Sequence, residues 1–304
     1  MSRPTRFRVV ESEDGTMLFQ LLARRLSQID NDQAKQLVKA GAVYMGHLRM
    51  RIPTMRVTTG ERITVYPEAL DKEELSSDAV RFVHRDPAFV VIDKPPGVPV
   101  AQTRDSARGT LSEAVRRILR DEGVLRPYVG VVHRLDQGAS GLVLMTIRGV
   151  ANKSLHKQFS SHTIERRYRL RVTGEPPATM RCEAPLVELK HGVVRVARDG
   201  EPRARSAATD LQRLEPAAAL VEGRSAALLE ACLETGRTHQ IRVHAKELGH
   251  PLLGDRKYGD ADDTGPSRLF LHADRLRFDH PLTGESIELR APLPDWARAT
   301  GDED

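Results

Sequence analysis

The chain has 304 residues, with 47 Lys+Arg against 42 Asp+Glu and a formal net charge of +5. Apolar residues make up 39% and charged residues 29%, a balance that belongs to a folded globular chain and excludes a disordered or membrane one. Cys182 and Cys232 form no CxxC pair and exclude a zinc ribbon, and no apolar run nears the ~20 residues of a membrane helix, so a reducing cytoplasm is the expected compartment.

Leu18, Leu21, Leu22, Leu26 and Ile29 recur at helical spacing and predict one apolar helix face. Asp32 is placed to cap a second short helix carrying Ala34, Leu37 and Val38, with Gly41 as its stop. Val43, Tyr44, Val57, Ile63 and Val65, with turns at Gly46 and Gly60, predict short strands. Residues 15–67 thus read as helix, helix and a small β unit. Arg24, Arg25, Lys35, Lys39, Arg49 and Arg51 flank it, and a solvated helix face is the ordinary reading of such charges. The stretch EALDKEELSSD from residue 68 has five acids, one Lys and no apolar periodicity, so residues 68–80 read as a linker.

Phe89–Ile92 predicts a strand, broken by Asp93-Lys94-Pro95-Pro96-Gly97. Leu111, Val115, Ile118 and Leu119 predict an amphipathic helix. Two apolar strands at 129–132 and 142–145 are joined by a polar loop, and further strands are expected at 167–173, 193–197, 226–233 and 286–290. A second domain over 81–296 is therefore α+β, and 297–304 is a frayed acidic tail.

Charge is unevenly placed. Residues 101–172 hold fourteen Arg/Lys and six Asp/Glu. The basic residues of the whole chain comprise 38 Arg and nine Lys. Guanidinium groups bind phosphate bidentately and stack on bases, which suits RNA. A G/C-rich genome explains an arginine bias equally well, but not its concentration in one segment.

Three segments offer chemistry. The loop His133-Arg134-Leu135-Asp136-Gln137-Gly138-Ala139-Ser140-Gly141 puts a carboxylate at a strand end followed by small residues, which leaves room for a bulky ligand; a turn-capping Asp is the bland reading. Ile164 to Arg171 sets four arginines around Tyr168, a pattern for base stacking with phosphate contact, or else a solvated edge strand. Glu234 to His244 continues either as a strand or as a helix stopped by Gly249. In both cases Arg237 or Arg242 is a fitting partner for a buried carboxylate, though a structural ion pair fits the residue types equally. The histidine spacings match no HExxH pattern, no Walker lysine loop occurs, and no GxSxG elbow surrounds Ser140.

Together these segments resemble the RluA-like family of RNA pseudouridine synthases. The matching pieces are Asp93 to Gly97, His133-Arg134-Leu135-Asp136 with Ser140-Gly141, Arg166-Arg167-Tyr168, and Gly236 to His244. Leu252-Leu253-Gly254-Asp255 with Tyr258-Gly259, and Leu269 to Ala273, complete the set. Six motifs in the family's order span about residues 82–292. Residues 15–67 are similar to the S4 RNA-binding module. The resemblance implies a pseudouridine synthase fold with a largely antiparallel mixed sheet behind an S4-like (α-L) domain. It implies detachment, rotation and rejoining of uracil through carbon, without metal, nucleotide or redox cofactor. It makes Asp136 the group acting at C1′, Arg242 its partner, and Tyr168 the base-stacking residue positioned to move the C5 proton. Leu271 becomes an apolar wall, and Arg134 the filler of the space left by a flipped uridine. His133, Arg166, Arg237 and His239 are further substrate-binding candidates. The implied partner is RNA, ribosomal before transfer RNA, for a cytoplasmic monomer with no membrane contact.

The sequence departs from the family pattern at Ala139, where Thr is common, at Arg166, where Lys is common, and at Gln137, Gly138 and Thr146-Ile147-Arg148. None of these removes a catalytic group. A non-catalytic RNA-binding or ribosome-assembly factor is the main rival, against which Asp136, Tyr168 and Arg242 stand together. A small-glycoside hydrolase is a third reading; it needs a second carboxylate, and none stands out.

Overall fold

The computed structural model describes residues 4–66, 74–102, 109–189, 192–215, 219–221, 224–259, 268–300 and 302. The chain divides into two units, the first made of Met1–Ser77 with Ala101–Arg117 and the second of Asp78–Val100 with Ile118–Asp304.

In the first unit, β1 (Thr5–Arg8), α1 (Leu18–Arg25), α2 (Asn31–Ala40), β2 (Val43–Met45), β3 (Leu48–Met50) and β4 (Arg62–Val65) follow in order. The strands form an antiparallel sheet ordered β1-β4-β2-β3. Leu18, Leu21, Leu22, Leu37, Val38, Ile63 and Val65 fill its core. The first helix is shorter than its apolar spacing predicts, ending at Arg25, while Leu26 and Ile29 still pack on the core. The cap of α2 is Asp30, not Asp32. The Asp30 carboxylate accepts the N–H groups of Asp32 and Gln33, and the Gln33 side chain caps back. Asp32 lies inside the first turn, where its side chain pairs with Lys35 at 2.9 Å. A reciprocal cap of this kind contributes about 1 kcal/mol. Gly41 closes the helix at φ 77°, as its position in the sequence predicts. The predicted helix after residue 110 is α3 (Leu111–Asp121).

The second unit contains β5 (Arg81–Arg85), β6 (Phe89–Lys94), β7 (Gly130–Val131), β8 (Ser140–Thr146), α4 (Gly149–Ser160) and β9 (Glu165–Thr173). It continues with β10 (Thr179–Cys182), β11 (Leu186–Glu188), β12 (Val194–Val196), β13 (Thr209–Arg213), β14 (Ala219–Val221) and β15 (Arg224–Leu233). It ends with α5 (Gln240–Glu247), β16 (Leu271–Asp279) and β17 (Ser286–Arg290). Among the described residues eleven of these strands build a mixed sheet along the path β10-β13-β15-β9-β16-β8-β6-β5, with β14, β17 and β7 as side pairings, while β11 and β12 pair with each other. Its pairings are antiparallel except for β16 with β8. That parallel contact is close. Gly141 adopts φ +102°, and a Cβ there would lie 2.3 Å from the Ala273 carbonyl oxygen, so only glycine fits.

Phe89 meets Phe278 edge-on at 5.4 Å, and with Leu144, Leu155 and Ile164 they form the core beside α4. The segment Gln240–Glu247 is helical, with Leu248 as its cap, and Gln240 and His244 fasten it. Gln240 bonds Ala208 O and Thr209 Oγ1, and His244 bonds Thr209 Oγ1 and Ala184 O.

Alternation along β9 puts Arg166, Tyr168 and Leu170 on one face and Arg167, Arg169 and Arg171 on the other. The second set is neutralised internally. Arg167 pairs with Glu165 and Glu230, Arg169 with Asp274 and Asp302, and Arg171 with Glu215 while donating to Trp296 O. The expectation that this whole arginine run is available to phosphate is therefore corrected: acids, most of them far away in sequence, pair with three of its four guanidinium groups. Asp302 of the acidic C-terminal stretch takes part in this pairing. Residues 68–73 of the expected 68–80 linker lie outside the described residues; of the rest, Ser77–Ala79 form a 3-10 turn.

Candidate active site

Asp136 stands on the loop between β7 and β8, at the open end of the parallel contact. Its loop is braced from the Asp93-to-Gly97 segment. The Gln137 carbonyl accepts the Gly97 N–H at 2.8 Å, and the Gln137 side chain donates to Gly97 O at 2.8 Å. Lys94, fully buried, donates to Pro95 O, Val98 O and Gln137 O at 2.9, 2.9 and 3.2 Å. Burial pulls the Lys94 pKa down to about 7 against the charges of Asp136 and Asp93. Three carbonyl acceptors call for three N–H groups, which only the ammonium supplies.

Arg242, in the first turn of α5, donates from Nη1 to Asp136 Oδ2 at 2.9 Å. Its Nε and Nη2 donate to Asp255 at 2.7 and 2.6 Å. Burial opposes the Arg242 charge, but hydrogen bonds and charges from both carboxylates raise its pKa above the ordinary value. Asp255 is buried, and its Oδ1 also accepts the N–H groups of Lys257 and Tyr258. Burial pushes its pKa up, yet Arg242 and these amides hold it below the ordinary carboxylate value.

Tyr258 lies beneath Arg242, whose guanidinium carbon is 4.9 Å from the ring centroid. Its hydroxyl accepts the Val194 N–H at 3.0 Å and meets His239 Nδ1 at 2.7 Å. With its acceptor side used by the amide, the hydroxyl donates to Nδ1, which leaves the imidazole proton on Nε2. That Nε2 faces Asp136 Oδ1 at 3.8 Å. His239 holds a left-handed backbone, φ 54°, which places its ring there. Burial lowers its pKa, with Asp136 opposing, so the ring is neutral near pH 7. Asp136 Oδ1 accepts no hydrogen bond from the described residues, whereas Oδ2 is held by Arg242.

Tyr168 sits between β15 and β16, opposite Ala231 on one side and Ala273 on the other. Its cross-strand neighbours are thus small, and the side chain is buried, 8% exposed. Burial raises its pKa, Arg166 opposes, and Asp136 adds to the rise. Leu271 begins β16 opposite Leu170. Arg134 is exposed and has no hydrogen-bond or ion-pair partner among the described residues. His133 is placed elsewhere: its ring stacks on Phe159 at 4.7 Å, and its Nε2 accepts the Leu144 N–H at 2.9 Å. Burial, then Arg166, lower its pKa to about 3, so it is neutral. Arg237 donates from Nε to Ser206 O at 3.0 Å rather than to Asp136.

The structure thus gathers Asp136, Arg242 and His239 by direct contact and near approach, with Tyr168 on β9, one strand beyond the β16 that pairs with β8. Asp255, Tyr258 and Lys94 are site residues that residue-type reasoning passed over. Each sits in a motif already visible as Leu-Leu-Gly-Asp, Tyr-Gly or Asp-Lys-Pro-Pro-Gly, but only folding reveals what each one holds.

The family model described as RNA pseudouridylate synthase matches residues 88–247. An uncharacterized RNA pseudouridine synthase of Bacillus subtilis is 35% identical over 288 residues, covering 89% of each chain. Ribosomal large subunit pseudouridine synthase D of Zymomonas mobilis is 31% identical, covering 94% of this chain and 93% of its own length. Synthase C of Pasteurella multocida is also 31% identical, covering 96% and 92%. Among solved structures, human RNA pseudouridylate synthase domain containing 1 superposes with a TM-score of 0.61 at 25% identity, covering 73% of this chain and 87% of that one. A carboxylate held by a clamped arginine thus stands in a chain whose relatives are named as pseudouridine synthases and match nearly its whole length, and the chain belongs to the RNA pseudouridylate synthase family, in its RluA-like branch, as an enzyme that isomerises uridine in RNA.

Proposed function

We propose that the substrate is large-subunit ribosomal RNA and that Asp136 is the group acting at C1′ of the target uridine. The observation that carries this is the asymmetry of the Asp136 carboxylate. Oδ2 is bound by Arg242 at 2.9 Å, and Oδ1 is left without a hydrogen bond among the described residues. One oxygen is oriented and the other is free for a sugar carbon. Arg242 holds the carboxylate ionised, Tyr168 stacks on the uracil and moves the C5 proton, and Leu271 walls the base. A base reached at C1′ and on its edges must leave its helix, and Arg134, exposed and unpaired, fills the vacated space. The first unit serves as an S4-like RNA-binding module over residues 15–67, and the protein acts as a cytoplasmic monomer without metal or cofactor.

The names of the relatives support ribosomal RNA over transfer RNA. A glycoside-hydrolase reading needs a second carboxylate that exchanges protons. Asp255 is the nearest one to Arg242, and both its oxygens are committed to the guanidinium and two amides. The test is tritium release from a [5-³H]uridine-labelled large-subunit ribosomal RNA transcript, followed by mapping of the product. Stoichiometric release at a discrete uridine is expected. Release only from transfer RNA would redirect the substrate, and release from neither would overturn the reading.

A further inference from the structure

Arg166 carries a charge that the protein does not neutralise. The residue is only 7% exposed, and its Nε is enclosed without an acceptor. No carboxylate pairs with it among the described residues, whereas Arg167, Arg169 and Arg171 on the same strand each have at least one. Enclosing a charged N–H without an acceptor costs free energy, and a ligand that brings the counter-charge to this guanidinium offsets that cost.

The surroundings are shaped for this side chain. A Cβ at position 236 would lie 2.3 Å from Arg166 Nη1, so Gly236 is the gap through which the guanidinium passes. The Phe159 ring lies 5.9 Å below it. The residue after Gly236 is Arg237, whose Nε is tied to Ser206 O at 3.0 Å, next in sequence to Arg205. Burial, then the charges of Arg205 and Arg166, lower the Arg237 pKa. Burial, then Arg237 and Arg166, do the same to His162, which precedes β9 in a left-handed conformation at φ 58°. These four side chains share one electropositive neighbourhood, and no acid figures among the groups acting on Arg237 or His162.

The location is specific. Arg166 and Tyr168 are on one face of β9, two residues and ~7 Å apart along the strand. Arg237 is two residues before His239, whose ring faces Asp136. An anion between Arg166 and Arg237 therefore lies within one nucleotide's backbone reach of a base stacked on Tyr168.

We propose that Arg166 and Arg237, cradled by Gly236, form a phosphate-binding subsite for the phosphodiester that flanks the target uridine. This rests on reading Asp136 and Tyr168 as the uridine site. The planar guanidinium fork matches two phosphate oxygens at once, which a lysine ammonium does not. The remaining arginines of β9 take no part, because acids already occupy them.

Two measurements on the full chain test the subsite, each with Arg166→Gln and Gly236→Ala. The second variant keeps every charge and only displaces the guanidinium. First, thermal unfolding is followed in inorganic phosphate and in chloride at equal ionic strength. The wild type gains stability from phosphate and both variants lose that gain, while Arg166→Gln in chloride melts no lower than the wild type. Second, affinity for the large-subunit ribosomal RNA transcript is followed against salt. Arg166→Gln lowers the slope of log affinity on log salt by about one. KM for tritium release rises roughly tenfold, one charge-assisted contact's worth, with kcat changed less. A phosphate gain in either variant equal to that of the wild type, or an unchanged salt slope in Arg166→Gln, overturns the proposal. If the wild type releases no tritium from the transcript, the substrate reading fails, and the phosphate arm still decides the subsite.

Discussion

Asp255 grips Arg242 with both carboxylate oxygens, at 2.7 and 2.6 Å, and so aims the remaining guanidinium nitrogen at Asp136. One buried acid thus sets the position of the arginine that holds another. Asp255→Asn keeps the shape but removes the charge under Arg242. Breaking a buried pair of this kind costs about 3–5 kcal/mol of stability. A misplacement near 1 Å at the site lowers kcat by about a hundredfold. Urea unfolding and tritium release check the two effects. The double variant Asp255→Asn with Arg242→Met recovers part of the lost stability but no activity, because it removes the stranded charge along with the clamp.

The bond between Tyr258 and His239 fixes a tautomer. With Tyr258 donating to Nδ1, the proton faces Asp136 from Nε2. Glutamine at 239 reproduces the Nε2 donor, and asparagine reproduces only the Nδ1 side. His239→Gln therefore retains several-fold more kcat than His239→Asn. Tyr258→Phe lowers kcat roughly tenfold with KM nearly unchanged, as expected when proton placement is disturbed rather than binding. Equal loss in the glutamine and asparagine variants would assign the pair a structural role alone.

Lys94 braces the Asp136 loop with three hydrogen bonds to backbone carbonyls. Lys94→Met leaves those carbonyls unsatisfied at a cost of about 1–3 kcal/mol each where they remain buried. Stability falls and kcat falls further than KM rises, because the loop that carries Asp136 loosens. Hydrogen exchange at residues 134–140 reads the loosening directly.

His272 sets an acid limit on stability. It is 2% exposed, bonds Ser140 through Nδ1 at 2.8 Å, and burial pulls its pKa down to about 4. The folded value lies below the unfolded one near 6.5, so the unfolded chain binds the extra proton between those values. Stability is full above about pH 6.5 and declines as pH falls toward 4, by up to ~3 kcal/mol from this group. His272→Asn keeps an acceptor or donor at the Nδ1 position but does not titrate. Its unfolding free energy, measured from pH 7.5 to 4, declines with a slope smaller by about one proton.

Much of the site was legible before folding. Asp136 at a strand end and Tyr168 among arginines follow from residue types and spacing, which left Arg237 and Arg242 as equal partners for a carboxylate; only the family resemblance singled out Arg242. Periodicity left residues 240–248 open between strand and helix. The helix is decided by Gln240 and His244, whose partners Ala184, Ala208 and Thr209 lie more than thirty residues away. The same distance hid the fate of the β9 arginines. Their acids come from Glu215, Glu230, Asp274 and Asp302, so a local charge count read as free what the tertiary fold neutralises. Helix α4 went unseen because its inward face is only Ala151, Leu155 and the partly buried Phe159, while the apolar Val150 points outward and blurs the period. The Asp30 cap was missed by two residues because Asp30 and Asp32 are both good caps, and only the position of the helix start separates them.

The proposed role of the Asp136 carboxylate is to act on uridine at C1′. Tritium release by Asp136→Asn on the ribosomal RNA transcript tests it most directly, with thermal unfolding and RNA affinity measured on the same preparation. The amide keeps the size of the side chain but is neither a nucleophile nor a base. Release is expected to fall by at least a thousandfold while the folded protein still binds RNA. An intact, RNA-binding Asp136→Asn protein that releases tritium at the wild-type rate would contradict the account.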